Sequence, residues 1–243
     1  MRFGGKHIYL FIQYFCSSSH SNLSFSNKEA SVVRVKGCYH RDSVKFEYDG
    51  KVLRFDKELS ELDEFVIKFV ELIRKSNIRY VIISGYVAIV MGRSRTTEDI
   101  DIFIEKTDFE TFRKFFELAG NKGYWSIDSD SLEDAFDRLQ DSLSIRMAKK
   151  DTVIPNFEIK FPKKEIDLIS LNRPLSVIIN KNELLMSPLE VQIPFKIWLS
   201  SEKDIEDAMH IYELFGAKLD KKLMKNISKR LKIDREMIKY GIN

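Results

Sequence analysis

The sequence has few cysteines, no long apolar run and little net charge, and each shortage excludes a class of protein. Two of the 243 residues are cysteines and no CxxC or Cys/His cluster occurs, which argues against a disulfide framework and a structural zinc site. No segment approaches the ~20 apolar residues of a membrane span. The formal net charge of +3, from 40 basic and 37 acidic residues, does not by itself indicate a nucleic-acid partner.

What is present is typical of a soluble globular protein, with 44% hydrophobic and 32% charged residues. Residues 1–42 are irregular and serine-rich, and we expect a loosely attached N-terminal extension there. Arg2, Lys6 and the apolar stretch after them resemble a weak signal peptide, but that stretch is short, contains Gln13 and lacks an obvious small-x-small cleavage site. We therefore expect a cytoplasmic protein.

Hydrophobic periodicity divides the rest into an α/β domain over 43–186 and a helical region over 187–243. Within the first part, Asp49-Gly50 predicts a hairpin turn. The predicted strands are 44–48, 51–55, 80–83, 99–106, 157–161 and 165–171, and the predicted helices are 58–77, 86–92 and 107–123. Residues 124–150 show no clear period, and we interpret them as variable decoration.

Two aspartates occupy alternate positions of the predicted strand DIDIFIEK. Asp99 and Asp101 share one face of that strand, while Ile100 and Ile102 point to the other. Paired carboxylates repel each other unless a cation lies between them, and oxygen-only ligands suit Mg²⁺ shared with substrate phosphates. Alone, the pair is a weak signal, since a solvent-facing strand side without function shows the same alternation.

The dipeptide Ser84-Gly85 joins the apolar strand 80–83 to the predicted helix 86–92. Backbone N–H groups at such a turn bind anions, and glycine lets a phosphate approach the main chain closely. The alternative is an ordinary helix cap by Ser84. A third acid, Asp167, lies in the predicted strand 165–171, where pairing beside the DID strand would complete a metal site. Glu165 shares its face and competes for that role.

The order strand, Ser-Gly, helix, DxD and later acid resembles the polymerase-β-like nucleotidyltransferase superfamily. The pattern GGxAxxxxGxxRxTxDID of AbiEii-type toxins of abortive-infection systems is similar to the segment from Ser84 to Asp101, with Arg95 and Thr97 in step. Further on, KD-x-x-D at 203–207 and the helical Lys196 fit the same layout. In this chain the turn reads Ser-Gly where the family has Gly-Gly or Gly-Ser.

The resemblance implies a mixed β-sheet flanked by helices and transfer of a nucleoside monophosphate from NTP to an acceptor. It implies catalytic and metal-binding roles for the three aspartates at 99, 101 and 167, with two Mg²⁺ ions, or Mn²⁺ in their place. The nucleotide would be bound by Ser84, Gly85, Arg95 and Lys196. The acceptor is left open among an RNA end, a protein side chain and a small molecule, as are the oligomeric state and a toxin–antitoxin role.

Two other interpretations explain all or some of the same sequence features. A catalytically inactive protein of the same fold, acting as a binding or antitoxin-like component, would share most of these features. A glycosyltransferase would also use a DxD motif, although the short distance from Ser84-Gly85 to the motif argues against it. For Lys196, a phosphate contact and a structural ion pair with Asp204 are equally compatible with the sequence.

Overall fold

The computed structural model describes residues 32–35 and 44–242, so most of the predicted N-terminal extension lies outside the described residues. The strands are β1 (Val32–Val35), β2 (Val44–Tyr48), β3 (Val52–Phe55), β4 (Tyr80–Ile82), β5 (Asp99–Ile104), β6 (Tyr124–Ser126), β7 (Ile145–Lys149), β8 (Asn156–Lys160), β9 (Leu175–Ile179) and β10 (Asn182–Met186). The helices are α1 (Glu61–Lys75), α2 (Gly85–Val90), α3 (Phe109–Asn121), α4 (Leu132–Gln140), α5 (Glu165–Asn172), α6 (Leu189–Leu199), α7 (Glu202–Phe215), α8 (Lys221–Leu231) and α9 (Asp234–Lys239).

The described strands form one mixed sheet in the order β1-β2-β3-β9-β10-β4-β5-β8-β7-β6. At its centre β5 is antiparallel to β4 and parallel to β8. Because β5 and β8 run in the same direction from the same end of the sheet, the first residues of both strands lie side by side. Helices flank the sheet and α6–α9 follow it in the chain, which confirms the predicted fold class.

The two faces of the central strands differ in chemistry because successive side chains alternate. Ile100, Ile102 and Ile104 of β5 are fully buried in the main hydrophobic core. On β8, Phe157 stacks on Phe69 of α1, with ring centroids 3.7 Å apart and an interplanar angle of 6°. The residues between these apolar side chains therefore project from the opposite face.

Most predicted elements of the first half are confirmed, including the hairpin at Asp49-Gly50, the helix α1 and the strands β4 and β5. Two predictions are wrong. The segment 165–171 is the helix α5 and not a strand. Residues 124–150 are not decoration, since they supply β6, α4 and β7. Among the described helices, none combines the length and apolarity needed to cross a membrane.

A buried carboxylate connects α1 to α2, the helix that follows the Ser-Gly turn. Asp63 is fully buried, and Tyr86 donates a hydrogen bond of 2.8 Å to its Oδ1. Lys57 Nζ lies 2.8 Å from Oδ2, and Ser60 also donates to that oxygen. Burial would raise the pKa of Asp63, but the bonds from Lys57 and Ser60 outweigh it and lower the pKa below its usual value. The group is therefore ionised at neutral pH and fixes α2.

Replacing Tyr86 with phenylalanine should lower the free energy of unfolding by about 2 kcal/mol, because a buried charged acceptor loses its donor. The measurement is urea denaturation followed by circular dichroism. Tyr124→Phe is the matched control, since the Tyr124 hydroxyl is also buried but has no hydrogen-bond partner. That variant should be as stable as wild type or more stable. Equal losses in both variants would contradict the role assigned to Asp63.

Candidate active site

The parallel pairing of β5 with β8 brings two pairs of polar side chains together on the open face of the sheet. The register places Asp99 opposite Asn156 and Asp101 opposite Glu158. Neighbouring strands lie about 4.8 Å apart, so the Glu158 carboxylate is one strand away from Asp101. The acidic residue opposite Asp101 on the neighbouring strand is therefore Glu158.

A lysine lies between the Asp101 and Glu158 carboxylates. Lys160 Nζ is 2.9 Å from Asp101 Oδ1 and 3.1 Å from Glu158 Oε1. Burial by itself would lower the pKa of Lys160, but the two carboxylates outweigh it and raise the pKa above its usual value. The ammonium is therefore charged at neutral pH and offsets the repulsion between the acids.

Asp99 is held from the neighbouring strand by an amide. Asn156 Nδ2 donates a hydrogen bond of 2.7 Å to Asp99 Oδ1, while the buried Asn156 Oδ1 has no hydrogen-bond partner. An unpartnered buried oxygen beside a carboxylate suits a hard cation or a donor from a ligand, and these oxygens are of the kind that Mg²⁺ prefers.

The carboxylates do not converge on one point. Within 32–35 and 44–242, no three His, Cys, Asp or Glu side chains are grouped so as to hold a metal ion. The oxygen donors of Asp99 and Asp101 are of the kind that a divalent cation binds, and Lys160 is paired with Asp101 as well as with Glu158.

The structure does not place Asp167 on a strand beside Asp99 and Asp101. It lies in the first turn of α5, and its Oδ2 accepts hydrogen bonds from the backbone N–H groups of Lys163 and Lys164, at 3.0 and 2.9 Å. These bonds satisfy N–H groups at the start of the helix. The expected strand position of Asp167 was wrong, and so was that of its competitor Glu165, which lies in the same turn. The carboxylate of Glu165 pairs with Arg230.

Glu158 was missed although the sequence contained a signal for it. The strand FEIKF was predicted, and its alternation buries Phe157 and Ile159 while it exposes Glu158 to the other face. An acid flanked by buried apolar residues on a predicted strand matches the pattern of Asp99 and Asp101. The error was to predict 165–171, and not the strand 157–161, as the neighbour of the strand that carries Asp99 and Asp101.

The Ser-Gly turn has an unusual backbone conformation. Ser84 adopts φ 64° and ψ −130°, a region that L-residues rarely enter and glycine enters freely. Its hydroxyl makes no capping hydrogen bond to α2, so the ordinary cap considered for Ser84 is absent. Gln192 of α6 donates a hydrogen bond of 2.9 Å to the Ser84 carbonyl oxygen and holds the turn from the other side.

The neighbouring Gly85 leaves space for the arginine-rich loop to approach the turn. A Cβ atom at Gly85 would lie 2.9 Å from Arg95 Nη2 and 3.3 Å from Thr97 Oγ1. Thr97 in turn donates a hydrogen bond of 2.9 Å to the Asp99 carbonyl oxygen. The absence of a side chain at 85 therefore lets Arg95 lie against the turn, one short loop away from the carboxylates.

Three cations converge on one buried carboxylate, that of Asp207 on α7. The distances are 3.2 Å from Arg93 Nε, 2.5 Å from Arg95 Nη1 and 2.8 Å from Lys196 Nζ. Lys196 also pairs with Asp204 at 3.0 Å, and its side chain is 1% exposed. Two roles were considered for Lys196, a phosphate contact and a structural ion pair with Asp204. This burial favours the ion pair.

Replacing Ser84 with glycine should raise the free energy of unfolding by about 1 kcal/mol. Relief of the strained φ is worth roughly 1–3 kcal/mol, while the extra freedom of glycine in the unfolded chain costs roughly 0.4–1 kcal/mol. Urea denaturation measures the difference. Ser84→Ala is the control, because it removes the hydroxyl but keeps the Cβ atom that causes the strain, and it should not stabilise. Stabilisation by alanine as large as that by glycine would contradict this explanation.

Three solved structures are similar to the chain at low sequence identity. An antigenic nucleotidyltransferase-like protein from Paracoccidioides brasiliensis is 14% identical with a TM-score of 0.45, and the match covers 74% of this chain and 91% of that chain. Antibiotic-resistance factor ANT(2'')-Ia is 10% identical with a TM-score of 0.39, over 74% of this chain and 97% of that chain. A tRNA-processing enzyme is 14% identical with a TM-score of 0.33, over 76% of this chain and 58% of that chain.

The family to which the chain belongs is shown by a family model and not by a curated relative. No curated protein matches the chain. The model described as nucleotidyl transferase of unknown function, DUF2204, matches residues 63–243, a span that contains the Ser-Gly turn, the carboxylates of β5 and β8, and the helices behind them. The chain therefore belongs to this nucleotidyl transferase family.

Proposed function

We propose that this protein is a magnesium-dependent nucleotidyltransferase that moves a nucleoside monophosphate from NTP to an acceptor. The observation that carries the proposal is the β5–β8 register, which sets Asp99 and Asp101 beside Glu158 on one open face. Family membership supports nucleotidyl transfer as the class of reaction.

Asp99 and Asp101 are the residues that would hold the metal ion. Their carboxylates share a strand face, and carboxylate oxygens are ligands that Mg²⁺ prefers. When bound, Mg²⁺ supplies positive charge for the triphosphate and for the leaving pyrophosphate. Glu158 replaces Asp167 in the proposed set, since it lies directly opposite Asp101.

The Ser84-Gly85 turn and Arg95 are proposed to bind the phosphates. Because Gly85 has no side chain, the Arg95 guanidinium occupies the space where a Cβ atom would lie and is next to the backbone of the turn. A guanidinium presents a planar set of donors that matches phosphate oxygens. In this proposal Lys196 is a positioning residue and does not bind a phosphate, because its ammonium is buried against Asp204 and Asp207. These ion pairs help to hold the helices behind Arg95.

Kinship to the AbiEii-type branch is also part of the proposal. The ordered residues from Ser84 to Asp101 support it. So do the ion pairs of Asp207, which binds both Arg95 and Lys196, while Lys196 also pairs with Asp204 of the same layout. A role in a toxin–antitoxin or abortive-infection system would follow from that kinship. The acceptor class stays open between an RNA end, a protein side chain and a small molecule.

The proposal is tested by incubating the protein with each labelled NTP, Mg²⁺ and total cell extract, and measuring pyrophosphate release and label transfer. The double variant Asp99→Ala, Asp101→Ala should abolish Mg²⁺-dependent release while circular dichroism stays unchanged. Full activity in that folded variant would remove the mechanism.

A second pair of variants decides which acid belongs to the site. Glu158→Gln should reduce the rate by more than about 10-fold, since groups that position charge at a metal site typically contribute 10–100-fold. Asp167→Asn is the matched control and should keep most of the activity, with a small loss of stability from the weakened helix start. The reverse pattern would restore Asp167 as the third carboxylate.

A non-catalytic nucleotidyltransferase-fold protein is the second candidate, and one observation favours it. The Lys160 ammonium already neutralises Asp101 and Glu158, as expected for a site that has lost its need for metal. Thermal unfolding with NTP, with and without Mg²⁺, separates the two candidates. Stabilisation that requires both ligands supports the enzyme, and absence of any shift supports the binding protein.

A further inference from the structure

Lys160 occupies an unusual position for a charged residue of a sheet. It follows Glu158 by two residues on β8, so both side chains project from the same face. Its register partner on β5 is Phe103, yet its Nζ reaches back to Asp101 and Glu158 at 2.9 and 3.1 Å. The lysine therefore lies on the edge of the carboxylate cluster and points into it.

The two acids that Lys160 joins are a particular pair. In the two-metal arrangement that the sequence resemblance implies, the aspartates of the DxD motif bridge both ions, and the third carboxylate holds the ion on the acceptor side. In that arrangement the acceptor-side ion would be held by Asp99, Asp101 and Glu158, and Lys160 joins the last two of these. Asp99 is not bonded to the lysine, since its Oδ1 accepts from Asn156 Nδ2 at 2.7 Å.

We propose that the Lys160 ammonium takes the place of the acceptor-side metal ion, so that the protein binds one divalent cation, at Asp99 and Asp101, and not two. The inference rests on the proposed function, because it specifies the cations of that same site. An ammonium only donates hydrogen bonds and has no coordination position for a water molecule, unlike a metal ion. It therefore supplies positive charge without coordinating water. Acceptor activation is then left to the carboxylates and not to a second metal ion.

The charges around the site agree with this assignment. Carboxylates on neighbouring strands, whose backbones lie about 4.8 Å apart, repel each other, and a single positive charge between them relieves that repulsion. Within 32–35 and 44–242, no three His, Cys, Asp or Glu side chains are grouped so as to hold a metal ion, and Asp101 and Glu158 both bond to Lys160. The positive charge that balances Glu158 is thus supplied by the side chain of Lys160.

The test counts bound Mn²⁺ on the full chain by electron paramagnetic resonance, in the presence of an ATP analogue whose α–β bridge cannot be cleaved. Wild type should bind one Mn²⁺ per chain at saturation. Lys160→Met, which keeps the length of the side chain but removes its charge, should bind two, and Lys160→Gln serves as a second variant. Lys68→Met is the matched control, because Lys68 pairs with Glu64 on the exposed side of α1, and its count should stay at one.

The outcomes separate this inference from the proposed function. Two Mn²⁺ ions on wild type would overturn the role of Lys160 and leave metal-dependent transfer intact. One ion on wild type and on both folded Lys160 variants would overturn it as well. No nucleotide-dependent Mn²⁺ on any protein would remove the proposed function together with the inference.

Discussion

The geometry of the candidate site depends on the register of one parallel strand pair, β5 with β8. Phe157 fixes that register from the core side, because its ring stacks on Phe69 at 3.7 Å and on Phe65 at 4.4 Å. A slip of one residue would turn Glu158 into the core and Phe157 onto the polar face. The aromatic packing of α1 against β8 therefore determines which acid lies opposite Asp101.

The helices after the sheet are tied to the same site through buried polar groups. Asp207 of α7 gathers Arg93 and Arg95 from the loop before β5, and Gln192 of α6 binds the carbonyl oxygen of Ser84. Removing one member of a buried ion pair costs about 3–5 kcal/mol, since the partner is left without compensation. The loop that carries Arg93 and Arg95 and the Ser84-Gly85 turn are thus held in place by α6 and α7.

The fold class and the strand that carries Asp99 and Asp101 could be predicted from the sequence, whereas the position of Glu158 opposite Asp101 could not. The strand and the shared face of Asp99 and Asp101 could be predicted, because the apolar Ile100 and Ile102 alternate with them. The segment 165–171 carried two compatible patterns, and its buried residues Ile166, Ser170 and Leu171 follow helical spacing. Pro162 just before it and acids in its first turn were helix-start signals. Strand order, which decides that β8 is the neighbour of β5, depends on contacts between distant segments that no local pattern encodes.

Burial distinguishes the two lysines that the site contains. Lys196 is 1% exposed and bonded to two carboxylates, so releasing it toward a phosphate would leave Asp207 buried with less compensation. Lys160 is 24% exposed and joins two carboxylates at the rim of the open face, where a substrate can reach it. In the proposed reaction, Arg95 is therefore the residue whose positive charge faces the phosphates. Lys196 helps to fix its position, because both residues pair with Asp207. One lysine stabilises the scaffold, and the other belongs to the charge balance of the site itself.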